Sequence, residues 1–125
     1  MKLLLDTHVL IWVFDGSADL ATTAKEVIAD GRNEVFVSAV TAWEIAIKRS
    51  LGKLELRGDY QRGLTLYRFT PLAISTEHAL ATETLPPHHA DPFDRLLIAQ
   101  ATLEGLTIIS RDARFADYGV ELIKA

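Results

Sequence analysis

The chain contains no cysteine. Disulfides, thiol nucleophiles and cysteine-based zinc sites are therefore excluded, and the composition suits a reducing compartment without requiring one. No stretch approaches the ~20 apolar residues that span a bilayer. The opening run Lys2-Leu3-Leu4-Leu5 is cut by Asp6, too short for the core of a secretory signal. A soluble, cytoplasmic protein with no membrane partner is expected. Nor is there an excess of positive charge: the formal net charge is −4, against a molecule that grips nucleic acid by its phosphates alone. Neither a glycine-rich phosphate loop nor a Gly-x-Ser-x-Gly nucleophile elbow occurs.

What the chain has is enough apolar material for a real core. It is 125 residues long and 49% hydrophobic, the size of one domain, which buries about two-thirds of its unfolded surface. Charge is uneven. Between Lys48 and Arg68 six basic residues (Lys48, Arg49, Lys53, Arg57, Arg62, Arg68) face only Glu55 and Asp59, a local +4 that leaves −8 elsewhere. This stripe suits a solvated helical face, and equally a surface that meets phosphates, with Lys48, Arg49 and Lys53 as candidate contacts to a phosphate backbone.

Strand-like and helix-like patterns alternate. Short apolar or β-branched runs at Lys2–Leu5, Val35–Val37, Leu72–Ile74, Thr107–Ile109 and Val120–Ile123 predict buried strands. Helices are expected over His8–Phe14, from a Ser17 or Asp19 cap to Ala29 with Gly31 as stop, over Val40–Leu51, over Gln61–Phe69, from a Ser75 cap to Thr84, and from Asp91-Pro92 to Glu104. Strands separated by helices imply an α/β fold with a central parallel sheet covered on both faces. Ligands in such folds sit beyond the carboxyl ends of the strands.

Four acids fall there. Asp6 follows the first strand, Glu44 lies in the helix after the second, Asp94 opens the helix after the proline loop, and Asp112 follows the strand ending at Ile109. Four carboxylates at one sheet edge repel unless a cation lies among them, and oxygen-only ligands suit Mg²⁺ or Mn²⁺. Each acid also has a structural role open to it. Asp6 could cap the helix that follows. Glu44 fits a capping box begun by Thr41, although it shares a stripe with Val40, Ile47 and Leu51. Asp112 could be a turn residue. Asp91 has the position of an N-cap with Pro92 at N1, which leaves Asp94 in line with Leu97, Ile98 and Ala101, where an acid is costly unless paired or metal-bound. Asp91 is therefore assigned to support and Asp94 to metal. Ser38 and Ser110, at strand ends, could orient carboxylates or simply cap. The pair His88-His89 in its proline-rich loop is expected to be exposed, and Trp12, Phe14 and Trp43, set among aliphatics, to pack in a core or subunit interface.

Four segments in this order resemble the PIN-domain ribonucleases, specifically toxins of the VapC type: Leu4-Leu5-Asp6-Thr7-His8; Ser38-Ala39-Val40-Thr41-Ala42-Trp43-Glu44-Ile45; His89-Ala90-Asp91-Pro92-Phe93-Asp94-Arg95-Leu96-Leu97-Ile98-Ala99-Gln100-Ala101; and Ile109-Ser110-Arg111-Asp112, followed by Phe115. The resemblance spans essentially the whole chain, taken as a single domain over residues 1–125. It implies a three-layer α/β/α fold and Mg²⁺- or Mn²⁺-dependent cleavage of RNA, with Asp6, Glu44, Asp94 and Asp112 as the catalytic, metal-holding acids. It also implies a homodimer and inhibition by a cognate VapB-like antitoxin. Two other readings suit parts of the pattern. A phosphoacceptor receiver-like domain would want paired acids after the first strand, where Asp6 is followed by Thr7-His8. A catalytically silent interaction module would have no need of all four acids.

Overall fold

The computed structural model describes residues 1–125. Five strands form one wholly parallel sheet: β1 (Lys2–Leu5), β2 (Glu34–Ser38), β3 (Thr70–Leu72), β4 (Thr107–Ser110) and β5 (Leu122–Lys124), in the order β3-β2-β1-β4-β5. Six α-helices connect or extend them: α1 (Thr7–Asp15), α2 (Thr22–Ala29), α3 (Ala39–Ser50), α4 (Tyr60–Leu66), α5 (Thr76–Ala81) and α6 (Pro92–Glu104), with 3₁₀ turns at Thr82–Thr84 and Ala113–Tyr118.

The two-residue period of the strands divides the core. Leu3 and Leu5 of β1 point with Val35, Val37 and Ile109 into one cluster, closed by Val9 and Leu10 of α1, Ala24 of α2, Ile45 of α3 and Leu64 of α4. Leu4 points the other way, with Ile108, against Leu97, Ile98 and Ala101 of α6 and Phe115. Helices therefore cover both faces of the sheet, giving the three layers. Each fully buried leucine or isoleucine contributes about 1.5–3 kcal/mol through removal from water. No helix is long and apolar enough to cross a membrane.

Several element boundaries differ from expectation for local reasons. Ser17 does not cap α2. Its amide closes α1 on the Trp12 carbonyl and its hydroxyl accepts from the Asp19 amide, so α2 begins at Thr22 without a side-chain cap. Thr41 does not cap α3. Ser38 does, accepting from the Val40 amide, which places Glu44 in the second turn and removes the capping-box reading. Helix α4 ends at Leu66 because Arg68 takes the left-handed conformation (φ 59°), letting the Phe69 amide reach back to Leu64. Strand β3 comes two residues earlier than expected and contains Pro71; as an edge strand it tolerates the missing amide. The outer strand β5 likewise lies slightly later, at Leu122–Lys124.

Gly63, inside α4, has a packing cause. A Cβ there would sit 2.6 Å from the ring of Phe14.

Candidate metal centre

The four acids meet in one open cavity of about 430 Å³ above the carboxyl ends of β1, β2 and β4, with Thr7, His8, Trp12, Lys48, His89, Asp91, Arg111 and Arg114 completing its wall. Asp6 leaves β1 at the point where its amide still pairs with the Ile109 carbonyl of β4. One of its oxygens caps α1, accepting from the amides of His8 and Val9, while the other accepts from the Ser110 hydroxyl. The capping role and the site role thus coexist on different oxygens. Burial raises the Asp6 carboxyl above its ordinary range, against the lowering effect of Ser110 and the two amides.

Glu44 is 4% exposed. Its Oε1 accepts from the Thr7 hydroxyl at 2.7 Å and its Oε2 is paired with Lys48 Nζ at 2.5 Å, one helical turn away. Lys48 is held charged, foremost by that bond and further by the fields of Asp91 and Asp94.

Asp94 stands at the start of α6. Asp91 is the N-cap, accepting from the amides of Phe93 and Asp94, with Pro92 at N1. This division between a capping and a site acid is the one expected from the spacing. Asp94 is pushed up to about 7, first by burial and then by the negative charges of Asp91, Asp6, Glu44 and Asp112. A carboxyl so perturbed by its neighbours marks a place prepared for positive charge.

Asp112 caps the 3₁₀ turn through the Arg114 amide, and both its oxygens are engaged by the Arg114 guanidinium, at 2.8 Å for the shortest contact. That pairing pulls its carboxyl down to about 2. Ser110 connects the acids, donating to Asp6 while accepting from the Asp112 amide at 3.0 Å. Ser38 touches no carboxylate; its hydroxyl caps α3. Of the expected RNA contacts only Lys48 lines the cavity, whereas Arg49 and Lys53 are exposed and lie outside its wall.

His89 departs from the sequence expectation. His88 is exposed, but His89 is 5% exposed. Its Nε2 lies 2.8 Å from Asp94 Oδ2 and 3.0 Å from Asp112 Oδ2. The loop carrying it is held by Arg95, whose guanidinium donates to the carbonyls of Thr82, Leu85, Pro86 and His89, and by the Tyr118 hydroxyl, which accepts the His89 amide and donates to Pro86. Two histidines in sequence give no hint of which is buried; long-range partners decide it. Trp12, expected in a core or interface, is half-buried at the cavity rim with the Arg111 guanidinium 4.2 Å above its ring. Trp43 is exposed and meets Phe93 edge-on.

The donor set fits a hard divalent cation. Asp6, Glu44 and Asp94 offer oxygens alone around one cavity, and such a cation would relieve the repulsion among the acids that, after burial, elevates Asp94.

A family model for the PIN domain matches residues 3–121. The chain belongs to the PIN-domain family. Among solved structures it is similar to the VapBC2 complex of Rickettsia felis bound to a promoter DNA fragment, with a TM-score of 0.73 at 16% identity over 99% of this chain and 98% of that one. A toxin–antitoxin complex from Klebsiella pneumoniae gives 0.68 at 21% identity, covering 97% and 95%. VapBC-5 of Mycobacterium tuberculosis gives 0.61 at 18% identity, covering 99% and 98%. No curated protein matches the chain significantly by sequence.

Proposed function

We propose that the chain is an Mg²⁺- or Mn²⁺-dependent ribonuclease, one catalytic domain over residues 1–125, acting in the cytoplasm as the toxin of a toxin–antitoxin pair. The observation that carries this reading is the convergence of Asp6, Glu44, Asp94 and Asp112 on one cavity in a PIN-domain chain. Asp6, Glu44 and Asp94 would hold the cation, with Asp112 completing the site. A bound Mg²⁺ or Mn²⁺ would acidify a water and neutralise charge on a phosphodiester. The protein's own contribution is positional. Ser110 holds Asp6, Thr7 holds Glu44, and the Asp91 cap sets the first turn of α6 and with it Asp94. Lys48, paired with Glu44, shares the cavity wall with Arg111 and Arg114, and these are the basic groups placed to meet a phosphate.

The toxin role and a VapB-like antitoxin partner draw support from the similar solved structures, which are of toxin–antitoxin systems; a homodimer belongs to the same proposal as what the family resemblance implies. The test is cleavage of RNA by purified protein with Mg²⁺, Mn²⁺ or chelator, alongside Asp94→Asn. Cleavage should require the metal and vanish in the variant with the fold intact. Full activity in Asp94→Asn would sink the assignment. Mapping cut ends in cellular RNA after brief induction would name the substrate, and co-expression with the product of a neighbouring small reading frame would test the antitoxin.

A further inference from the structure

His89 offers a third kind of donor to the centre, and its hydrogen bonds determine what it can do there. Its ligand-type nitrogen and the nearest oxygens of Asp94 and Asp112 lie within 4.8 Å of one another, close enough to suggest a His-Asp-Asp metal site. The other ring nitrogen argues otherwise. Nδ1 accepts the Asp91 amide at 3.2 Å, so the lone pair is on Nδ1 and the proton on Nε2. A protonated Nε2 has no lone pair for a cation. It has one hydrogen, which Asp94 Oδ2 and Asp112 Oδ2 share at 2.8 and 3.0 Å. The opposite tautomer would turn an N–H against the Asp91 amide, two donors with no acceptor between them. Backbone contacts from Tyr118 and Arg95 and the tilted ring of Phe115, 6.1 Å away, fix the imidazole in place.

From this arrangement we propose, resting on the metal-dependent reading above, that His89 is the positioning residue of the centre: its Nε2–H clamps Asp94 to Asp112 and keeps the ligand set oxygen-only. Arg114, Asp112, His89 and Asp94 then form one chain of contacts running from the surface to the site. Asp112, whose oxygens are already taken by Arg114 and His89, acts on the cation chiefly by fixing Asp94.

The experiment compares wild type, His89→Ala and His89→Gln as full-length chains, with circular dichroism as the folding check. Titration calorimetry with Mn²⁺ should show His89→Ala weakened by about 10- to 100-fold, the usual cost of losing an outer partner of a metal ligand. Glutamine, whose amide N–H reaches the position of Nε2, should recover most of that affinity, and remains decisive should the alanine variant fail to fold. Pulsed electron paramagnetic resonance of the wild-type Mn²⁺ complex should show no directly bonded nitrogen. An alanine variant that binds as wild type does would overturn the proposal, as would a glutamine variant as weak as alanine. A bonded-nitrogen signal that disappears in His89→Gln would make His89 a ligand instead. Failure of wild type to bind Mn²⁺, or equal binding by Asp94→Asn, would bring down the metal-dependent reading itself.

Discussion

Asp94→Asn separates the demands of the site from those of the fold. In the metal-free protein Asp94 is pushed up to about 7, chiefly by burial and secondarily by four neighbouring acids. In the unfolded chain it titrates near its ordinary value, so between roughly pH 4 and 7 the folded state binds the extra proton and stability falls as pH rises. The gap corresponds to about 4 kcal/mol at 1.36 kcal/mol per pH unit. The side chain retains 20% exposure, and solvent screening cuts the realised gain to about 2–3 kcal/mol. Asparagine removes the charge while its carbonyl oxygen still accepts from His89. The metal-free variant should therefore match wild type near pH 4, gain on it up to pH 7, and lead by a constant margin above that. For a domain of this size the margin is about 6–12 °C in melting temperature. Thermal melts in chelator from pH 4 to 8.5 measure it directly. Adding Mn²⁺ should reverse the order, because a cation at about 1,000 times its dissociation constant stabilises only the protein that binds it, by about 4.1 kcal/mol. A wild type more stable than the variant in chelator at pH 8, or a margin that does not change with pH, would refute the electrostatic account.

Lys48→Ala should lower the metal-free melting temperature, because it leaves the buried Glu44 carboxylate uncompensated; the stabilisation gained on adding Mn²⁺ should grow, since no lysine competes for Glu44, and calorimetry checks both. Ser110→Ala should weaken Mn²⁺ binding by about tenfold by releasing Asp6. Arg95→Ala removes the guanidinium bonds to four carbonyls, of which Leu85 and His89 lose the donor the side chain gave them while Thr82 and Pro86 keep the Leu85 amide and the Tyr118 hydroxyl; it should cost about 2–4 kcal/mol in urea unfolding, with faster proteolysis of the loop around residues 85–89. Gly63→Ala would normally favour a helix by about 1 kcal/mol; here the Phe14 ring should make it destabilising by about 1–3 kcal/mol.

The order of elements and the parallel sheet were legible in the sequence because strand runs such as Lys2–Leu5 and Thr107–Ile109 are apolar on both faces. Asp6 and Asp112 were legible for the same reason, since placing β1 and β4 places their exits, whereas Glu44 and Asp94 were legible from their helices. Asp94 had the best local signal, an acid on a stripe with Leu97, Ile98 and Ala101, and its elevation is the physical content of that signal. The Asp91 cap behaved as its spacing implied. What could not be read was decided by competition between neighbours or by distant partners. Ser38 and Thr41 both qualify as caps, and strand pairing to Leu72 leaves Ser38 where α3 must start. His89 looks the same as His88 until Arg95 and Tyr118 fold the loop onto the sheet edge. Strand β3 takes in Pro71, ahead of the expected Leu72–Ile74, and its place at the sheet edge is what allows a proline there.

The bond between Ser110 and Asp6 joins residues 104 apart in sequence. A growing chain presents Asp6 to solvent early and without a partner, then adds Glu44 and Asp94 in turn. The serine that ties Asp6 to Asp112 is made nearly last. At usual rates of synthesis that interval is roughly 5–20 s. A polypeptide interrupted anywhere before Ser110 carries at most three of the four acids and no clasp to hold the first. The full set of acids and the clasp that holds the first of them are thus the last features the molecule acquires, and an incomplete copy lacks them.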